Sequence, residues 1–571
     1  MNFSTKKTFY SILILFIIYS VIFLIFTYPL LFNFGNSLLT SNRHNADTPQ
    51  FLWNTYHFAY KLEIFENPFY TNLQFYPNGV ALWMNANVPI FGMLAFLIKN
   101  NFLAMNIIVF LNFISGSIGS YFLAKKFNAP HYIALFIGFV YSFAPHKMAR
   151  IEEHYNLILN GAIPFVILLT TSMLYVKEDR LITKFQLKKI LILLSLFFIL
   201  IISDYFCFYS SVVWIILYCT SIFAYLYFKK CSKLKIVVIL FTVLLTGHLI
   251  TRCLQLLSID DKGGLWWSND LLLLFIPSYK SLLYTADVSN IATHLGHMHA
   301  YGMDDVMFLG FGLTILFVTS LILFIKSPKN SSVTIFLFVT ILLMSLCFPV
   351  IKINGKSLFY SPTSWNHFLL FVNNFRVPGR FISLLLLTGT TALLPLLSQH
   401  LTVKYRYFIL LIMFITIVEY VPIKNHLIST SDIPLIYSKI PFDNKTILNI
   451  PLGIIDGNEA IGEFDSKELL YQTQHKHPII GGYTSRVPVE IKDAFKDDPI
   501  CMSLCGDSTY NQLKNIKSDQ IKIFLKKYNI GYIVVSKKIE SNYPTISNIF
   551  APFVSKKNET DLHILYQISN K

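Results

Sequence analysis

Apolar runs close to bilayer length recur along the chain from Phe9 to about Tyr420, separated by short loops rich in lysine and arginine. A helix needs about 20 predominantly apolar residues to cross the hydrocarbon core. The pattern predicts spans at about 9–31, 101–124, 131–145, 157–176, 190–206, 208–228, 236–258, 304–325, 332–350, 380–399 and 407–423, about eleven in all. A shorter apolar piece at 88–98 suits the interface. Beyond residue 423 the pattern changes to a polar stretch punctuated by Gly and Pro. It carries β-type runs at Thr446–Leu452, Tyr532–Val535 and His563–Ile568, and an amphipathic helix over Ser518–Tyr528. That mixture predicts a small α/β domain. The expected fold is mainly α: a polytopic helical bundle over 1–423, with long outer loops at 32–100 and 259–303, and an α/β domain over 424–571.

Charge sets the orientation. Lys6, Lys7, Lys125, Lys126, Lys177, Arg180, Lys184, Lys188, Lys189, Lys229, Lys230, Lys233, Lys235, Lys326, Lys329, Lys404 and Arg406 fall in loops on one side of this arrangement, with only Glu178 and Asp179 among them. By the positive-inside rule the N-terminus is cytoplasmic, and an odd number of spans puts the tail outside. The first segment is longer than a signal-peptide core and no small-x-small cleavage site follows it, so it is read as a retained span.

Composition agrees. The 571 residues are 54% hydrophobic and 14% charged, against about 25% charged in an ordinary soluble domain. A net charge of +16 would suggest nucleic acid in a soluble chain; here the loops account for it, and membrane lipids are the expected partner instead. Cys501 and Cys505 lie in the tail, where a disulfide is chemically permitted.

The candidate chemistry lies at the outer ends of the spans. Asp47 follows the first span. Asp204, in Ser203-Asp204-Tyr205, sits in an apolar setting where an unpaired carboxylate is costly. Glu152, Glu153 and His154 close an outer turn beginning at Pro145, and two adjacent carboxylates there fit a solvated turn equally well. Arg376 and Arg380 flank Pro378-Gly379 at the start of a span; guanidinium suits phosphate, and lipid head-group anchoring is the plainer reading. Arg252, one turn after His248, is a second cation near the outer face. His294, His297, His299, Asp304 and Asp305 form the one metal-like cluster, and a divalent ion is the cofactor they would take, although their spacing matches no known signature. Phosphate-cradling, nucleophile-elbow and zincin motifs are missing from the sequence.

Four pieces together resemble the GT-C superfamily of integral membrane glycosyltransferases, most nearly its YfhO-like or uncharacterised bacterial members. They are Asp47 with Trp53, Asn67-Pro68-Phe69 and Phe75-Tyr76-Pro77-Asn78-Gly79; the turn ending in His154; Asp204-Tyr205; and Phe375-Arg376-Val377-Pro378-Gly379-Arg380-Phe381. The tail phrases Asn449-Ile450-Pro451-Leu452-Gly453 and Gly481-Gly482-Tyr483-Thr484-Ser485-Arg486-Val487-Pro488 look similar too.

The resemblance implies inverting transfer of a sugar from a polyprenyl-phosphate-linked donor to an extracytoplasmic glycan, lipid or protein, at a bacterial cytoplasmic membrane. On that basis Asp47 is the general base, and Arg376 and Arg380 offset charge on the leaving phosphate. Asp204 and His154 position a substrate, with Tyr205 and Arg252 beside them, and Tyr483 and Arg486 of the tail would meet glycan. Where the family often shows an acidic pair, Ala46 precedes a lone Asp47. A flippase of lipid-linked saccharides and a non-catalytic envelope assembly protein are the competing readings. Charge gathered at span ends disfavours the first, and tolerance of Asp47→Asn would mark the second.

Overall fold

A computed structural model describes residues 5–569 except 44, 83–84, 231–266, 298–299, 327–329, 361–376, 402, 458, 507–509, 511, 513–515 and 538–542. The span expected at 236–258, with His248 and Arg252, lies outside the described residues, as do His299 and Arg376. The helices considered below are α1 (Thr5–Phe26), α2 (Thr48–Glu63), α3 (Pro89–Ile98), α4 (Asn101–Lys126), α5 (His131–Phe143), α6 (Pro145–Arg150), α7 (Ile163–Met173), α8 (Leu187–Ser203), α9 (Tyr205–Lys230), α10 (Ala286–Leu295), α11 (Phe311–Lys326), α12 (Ser331–Cys347), α13 (Ile382–His400) and α14 (Arg406–Tyr420). Every other expected span coincides with one of them. Among the described residues, four stretches are long and apolar enough to cross a membrane: Phe9–Phe26, Asn101–Lys126, Tyr205–Tyr227 and Pro378–His400. α7, α11 and α12 are apolar but shorter. Large apolar side chains stand exposed along α1 and α8, among them Phe9, Ile14, Leu191 and Phe198. Such surfaces would be a liability in water and are at home in lipid. The chain is an integral membrane protein.

The chain divides into two compact units. The first comprises residues up to Tyr28, Val109–Glu152 and Leu157–Asn425; the second comprises Pro29–Ile108, Glu153–Asn156 and the chain from His426 on.

In the first unit α13 is the central helix. It is apolar all round and buried from Leu384 to Leu397, as a helix must be when no face meets solvent, and it packs on α5, α11 and α12. Two of its hydroxyls bond back within the helix: Thr388 donates to the Leu384 carbonyl at 2.5 Å and Thr390 to that of Leu386 at 2.6 Å. Elsewhere in this unit the Lys280 ammonium is buried against Glu152 at 2.5 Å and Asn425 at 2.8 Å, and Asn425 in turn donates to the carbonyls of Phe26 and Tyr28 at the end of α1.

The second unit joins the segment expected as an outer loop to the tail. Its strands include β1 (Ser37–Thr40), β2 (His426–Ser429), β3 (Thr446–Ile450), β4 (Gly453–Ile455), β5 (Gly482–Tyr483), β6 (Ile530–Ser536), β7 (Val554–Glu559) and β8 (His563–Ile568). A four-stranded sheet runs in the order β7-β8-β6-β3, and β6 lies parallel to β3 with Ile533 opposite Leu448. Parallel neighbours require a crossover, and the chain between them includes helices α15 (Lys467–His475) and α16 (Ser518–Lys527). β1 pairs antiparallel with β2, Leu38 opposite Ile428. The backbone N–H groups of Phe75 and Tyr76 donate to the carbonyls of Gly481 and Ile479, both at 3.1 Å, and that of Ile479 donates to Leu73 at 2.8 Å. α2 is buried on nearly every side, with Trp53 fully enclosed, and packs on α3 and α15. Cys501 and Cys505 are buried and free rather than joined.

Lys280→Met strands a buried Glu152 carboxylate. The expected cost is roughly 3–5 kcal/mol, whereas the double replacement with Glu152→Met recovers most of it. Thermal denaturation of the detergent-purified protein measures this, and an unchanged midpoint in the single variant contradicts it.

Candidate functional site

Asp47 directly precedes α2, with Pro49 in the first turn. At such a position an aspartate ordinarily turns its carboxylate onto the helix N–H groups as a cap. Here it does not. Its backbone carbonyl accepts from Gln50 and Phe51, but its side chain makes no capping bond. The carboxylate meets two donors of the same unit instead: Nε2 of His154 lies 3.3 Å from Oδ2, and the Tyr483 hydroxyl donates to Oδ1. Burial pushes the Asp47 carboxyl up, but the hydrogen bond and charge of His154, the Tyr483 hydroxyl and the Arg43 charge outweigh it and hold the group below the usual carboxylate range. Burial and the neighbouring Asp47 charge together drive the Tyr483 phenol up, so it remains a donor. Nδ1 of His154 is buried without a partner among the described residues.

The surroundings of this carboxylate are built by the joined segments. Gln74 Oε1 accepts from the Tyr483 N–H at 3.0 Å; Ser485 donates from its N–H to Asn85 at 3.0 Å; Ser466 donates from its N–H to Asn45 at 2.9 Å. Glu153 is buried and paired with Arg43, whose Nε donates at 2.8 Å. Glu152 is buried too, so neither acid sits on a solvated turn.

A second group of charges lies wholly in the first unit. Asp304 accepts from both Arg150, at 3.2 Å, and Arg380, at 3.1 Å. Arg380 reaches it from the Pro378-Gly379 turn that starts α13. A Cβ on Gly379 would lie 2.4 Å from Asn269 Oδ1, and Asn269 itself donates to the Asp304 carbonyl at 3.1 Å, so the small residue permits the close approach. Asp204 breaks α8 from α9 with an extended backbone and takes the Phe206 N–H at 2.7 Å; Tyr205 is exposed at the start of α9. Short helix α6 adds His146, Lys147 and Arg150, all buried, and His146 Nε2 lies 2.7 Å from the Ser383 hydroxyl.

The histidine-rich stretch separates rather than converging. Asp305 pairs with Nδ1 of His297, His294 stands on α10, and Asp304 is taken by the two arginines. Among the described residues no three His, Cys, Asp or Glu side chains are close enough to hold a metal ion, and His299 lies outside those residues.

Residues 15–420 match the family model described as "Domain of unknown function (DUF6311)". The chain belongs to that family. No curated protein matches its sequence. Among solved structures it is similar to the oligosaccharyltransferase AglB of Archaeoglobus fulgidus in complex with an inhibitory peptide and a dolichol-phosphate, with 11% identity, 99% of this chain and 75% of that chain covered, and a TM-score of 0.49. The apo form of the Archaeoglobus fulgidus enzyme gives 10% identity, 98% and 75% coverage, and the same TM-score of 0.49. The arabinofuranosyltransferase AftD from Mycobacteria gives 12% identity and a TM-score of 0.48, with 92% of this chain covered but only 36% of that one.

Tyr483→Phe removes a donor to an ionised carboxylate, worth roughly 1.5–3 kcal/mol. A lowered pKa contributes stability that is present above the ordinary carboxylate value and lost as pH falls through the lowered one. In the variant the contribution is therefore smaller and its loss is complete at a higher pH. Denaturation midpoints followed from neutral pH downward test this, and superimposable profiles would show that the contact does not hold the charge.

Proposed function

We propose that this protein is a membrane glycosyltransferase of the GT-C type, with about eleven spans, a cytoplasmic N-terminus and its second unit outside the cytoplasmic membrane of a bacterium. It moves a sugar from a polyprenyl-phosphate-linked donor to a glycan, lipid or protein acceptor, with inversion at the anomeric carbon. The observation that carries the reading is the Asp47 carboxylate, withheld from the helix cap it would ordinarily make and aligned by His154 and Tyr483.

That arrangement supports base catalysis by Asp47. Held below the usual range, Asp47 is ionised at neutral pH and available to accept a proton. A weak base of this kind acts late, as the acceptor oxygen bonds to the anomeric carbon and its own proton becomes acidic. The new carbon–oxygen bond forms on the face opposite the phosphate. The old one breaks with its electron pair going to the polyprenyl phosphate, and the proton passes to Asp47. Arg380, with Arg376 four residues before it, offsets the charge that gathers on the departing phosphate. Asp204, by capping α9, fixes the backbone from which Tyr205 projects.

Membranes supplied with a panel of labelled polyprenyl-phosphate sugars should transfer label, and Asp47→Asn at equal expression should lower the rate about 10²–10⁴-fold. Transfer unaffected by Asp47→Asn would remove the assigned base. No transfer from any donor, with the variant indistinguishable in cells, would favour an assembly role.

A further inference from the structure

Within the first unit, α6, the start of α9 and the start of α13 border a narrow cleft lined by His146, Lys147, Arg150, Asn160, Arg380 and Ser383. Its lining carries four basic side chains, His146, Lys147, Arg150 and Arg380, and, among the described residues, no acid. Asp304 is shared by Arg150 and Arg380, and Asp204 takes the Phe206 N–H. Lys147 is buried at 1% exposure, and no carboxylate among the described residues forms an ion pair with it. Its Nζ donates to the neutral Asn160 amide at 2.7 Å and sits 4.4 Å from the Phe113 ring centre. Nδ1 of His146 and Nε of Arg150 are buried without partners among the described residues. A lysine in apolar surroundings without a counterion is costly to keep charged. An anion in the cleft would supply the missing partner for all three groups.

We propose that this cleft binds a phosphate-type anion carrying one ester or more, and that Lys147 takes up a proton as the anion enters. The inference rests on the transfer reading only where the anion is the donor's own phosphate; binding itself does not require it. Burial brings the Lys147 ammonium down to about 7, so it is partly neutral at physiological pH. The groups around it are His146 and Arg150 on its own helix, Tyr141 from α5, Cys207 from α9 with Asp204 just before it, and Arg380 from the turn before α13, paired with Asp304 of the turn Met303–Asp305. An anion beside Nζ favours the ammonium, so affinity is full below pH 7 and falls as pH rises through that value.

The test uses full-length protein in nanodiscs and two probes of fixed single charge, a polyprenyl methyl phosphate diester and dimethyl phosphate. Because neither probe titrates, any pH dependence belongs to the protein. The expected dissociation constant is level below pH 6 and rises toward about tenfold per unit above pH 7, with proton uptake seen by calorimetry in two buffers. Lys147→Arg should bind with a flat profile, and Lys147→Met should bind weakly and flatly, its folding checked by its denaturation midpoint. Binding confined to the lipid diester identifies a lipid headgroup as the ligand; equal binding of both identifies a free phosphate-type anion. If neither binds, or if both variants keep the wild-type slope, the proposal fails. Binding is read without turnover, so a protein that binds yet transfers nothing would overturn the transfer reading and leave this one standing.

Discussion

One carboxylate holds the cationic end of the first unit together. Arg150 and Arg380 stand far apart in the chain, and Asp304 accepts from both. Two guanidinium groups brought this close repel each other, and removing them from water costs several kcal/mol per ion unless they are paired. Asp304 makes their approach tolerable, and the short helix α6 and the turn before α13 are thereby tied to one point. The arrangement also explains why Asp304 and Asp305, adjacent in sequence, serve different partners. One offsets two arginines while the other holds His297.

The second unit shows a different economy of charge. Asp47 makes no cap bond to α2, although sequence and position invite one, and its two oxygens meet His154 and Tyr483. The helix compensates by other means. Pro49 in its first turn has no N–H to satisfy, and α2 is stabilised by burial on nearly all sides rather than by its terminus. Leaving a carboxylate without its local use, and building a tyrosine and a histidine around it, is the kind of arrangement that accompanies chemistry more often than stability.

The helical bundle was legible because hydrophobic periodicity is local. Nearly every apolar run near bilayer length became a helix, and in the tail the runs at Thr446–Leu452, Tyr532–Val535 and His563–Ile568 became strands within a residue or two of their expected ends. What could not be read was pairing across distance. The stretch Thr48–Glu63 mixes aromatic, amide and basic residues without an amphipathic stripe, because it is buried on nearly all faces, and so it reads as loop. Lys147 stood in the turn from Pro145 to His154, but lysine near a span end is ordinary, and only the packing of α6 shows that it is enclosed. Tyr483 and Asp47 were each visible as members of suggestive phrases. Nothing local to either says that one touches the other across 436 residues.

That separation bears on how the molecule is made. The first segment of the second unit is synthesised early, but its hydrogen-bonding partners at 479–485 are made only after every span has emerged. Until then the edges at Leu73, Phe75 and Tyr76 stand open, and Trp53 and its aromatic neighbours lack the α15 side of their enclosure. The environment of Asp47 is therefore completed only after the helices that precede the tail have been made. A chain shortened ahead of residue 479 would lack the groups that surround that carboxylate.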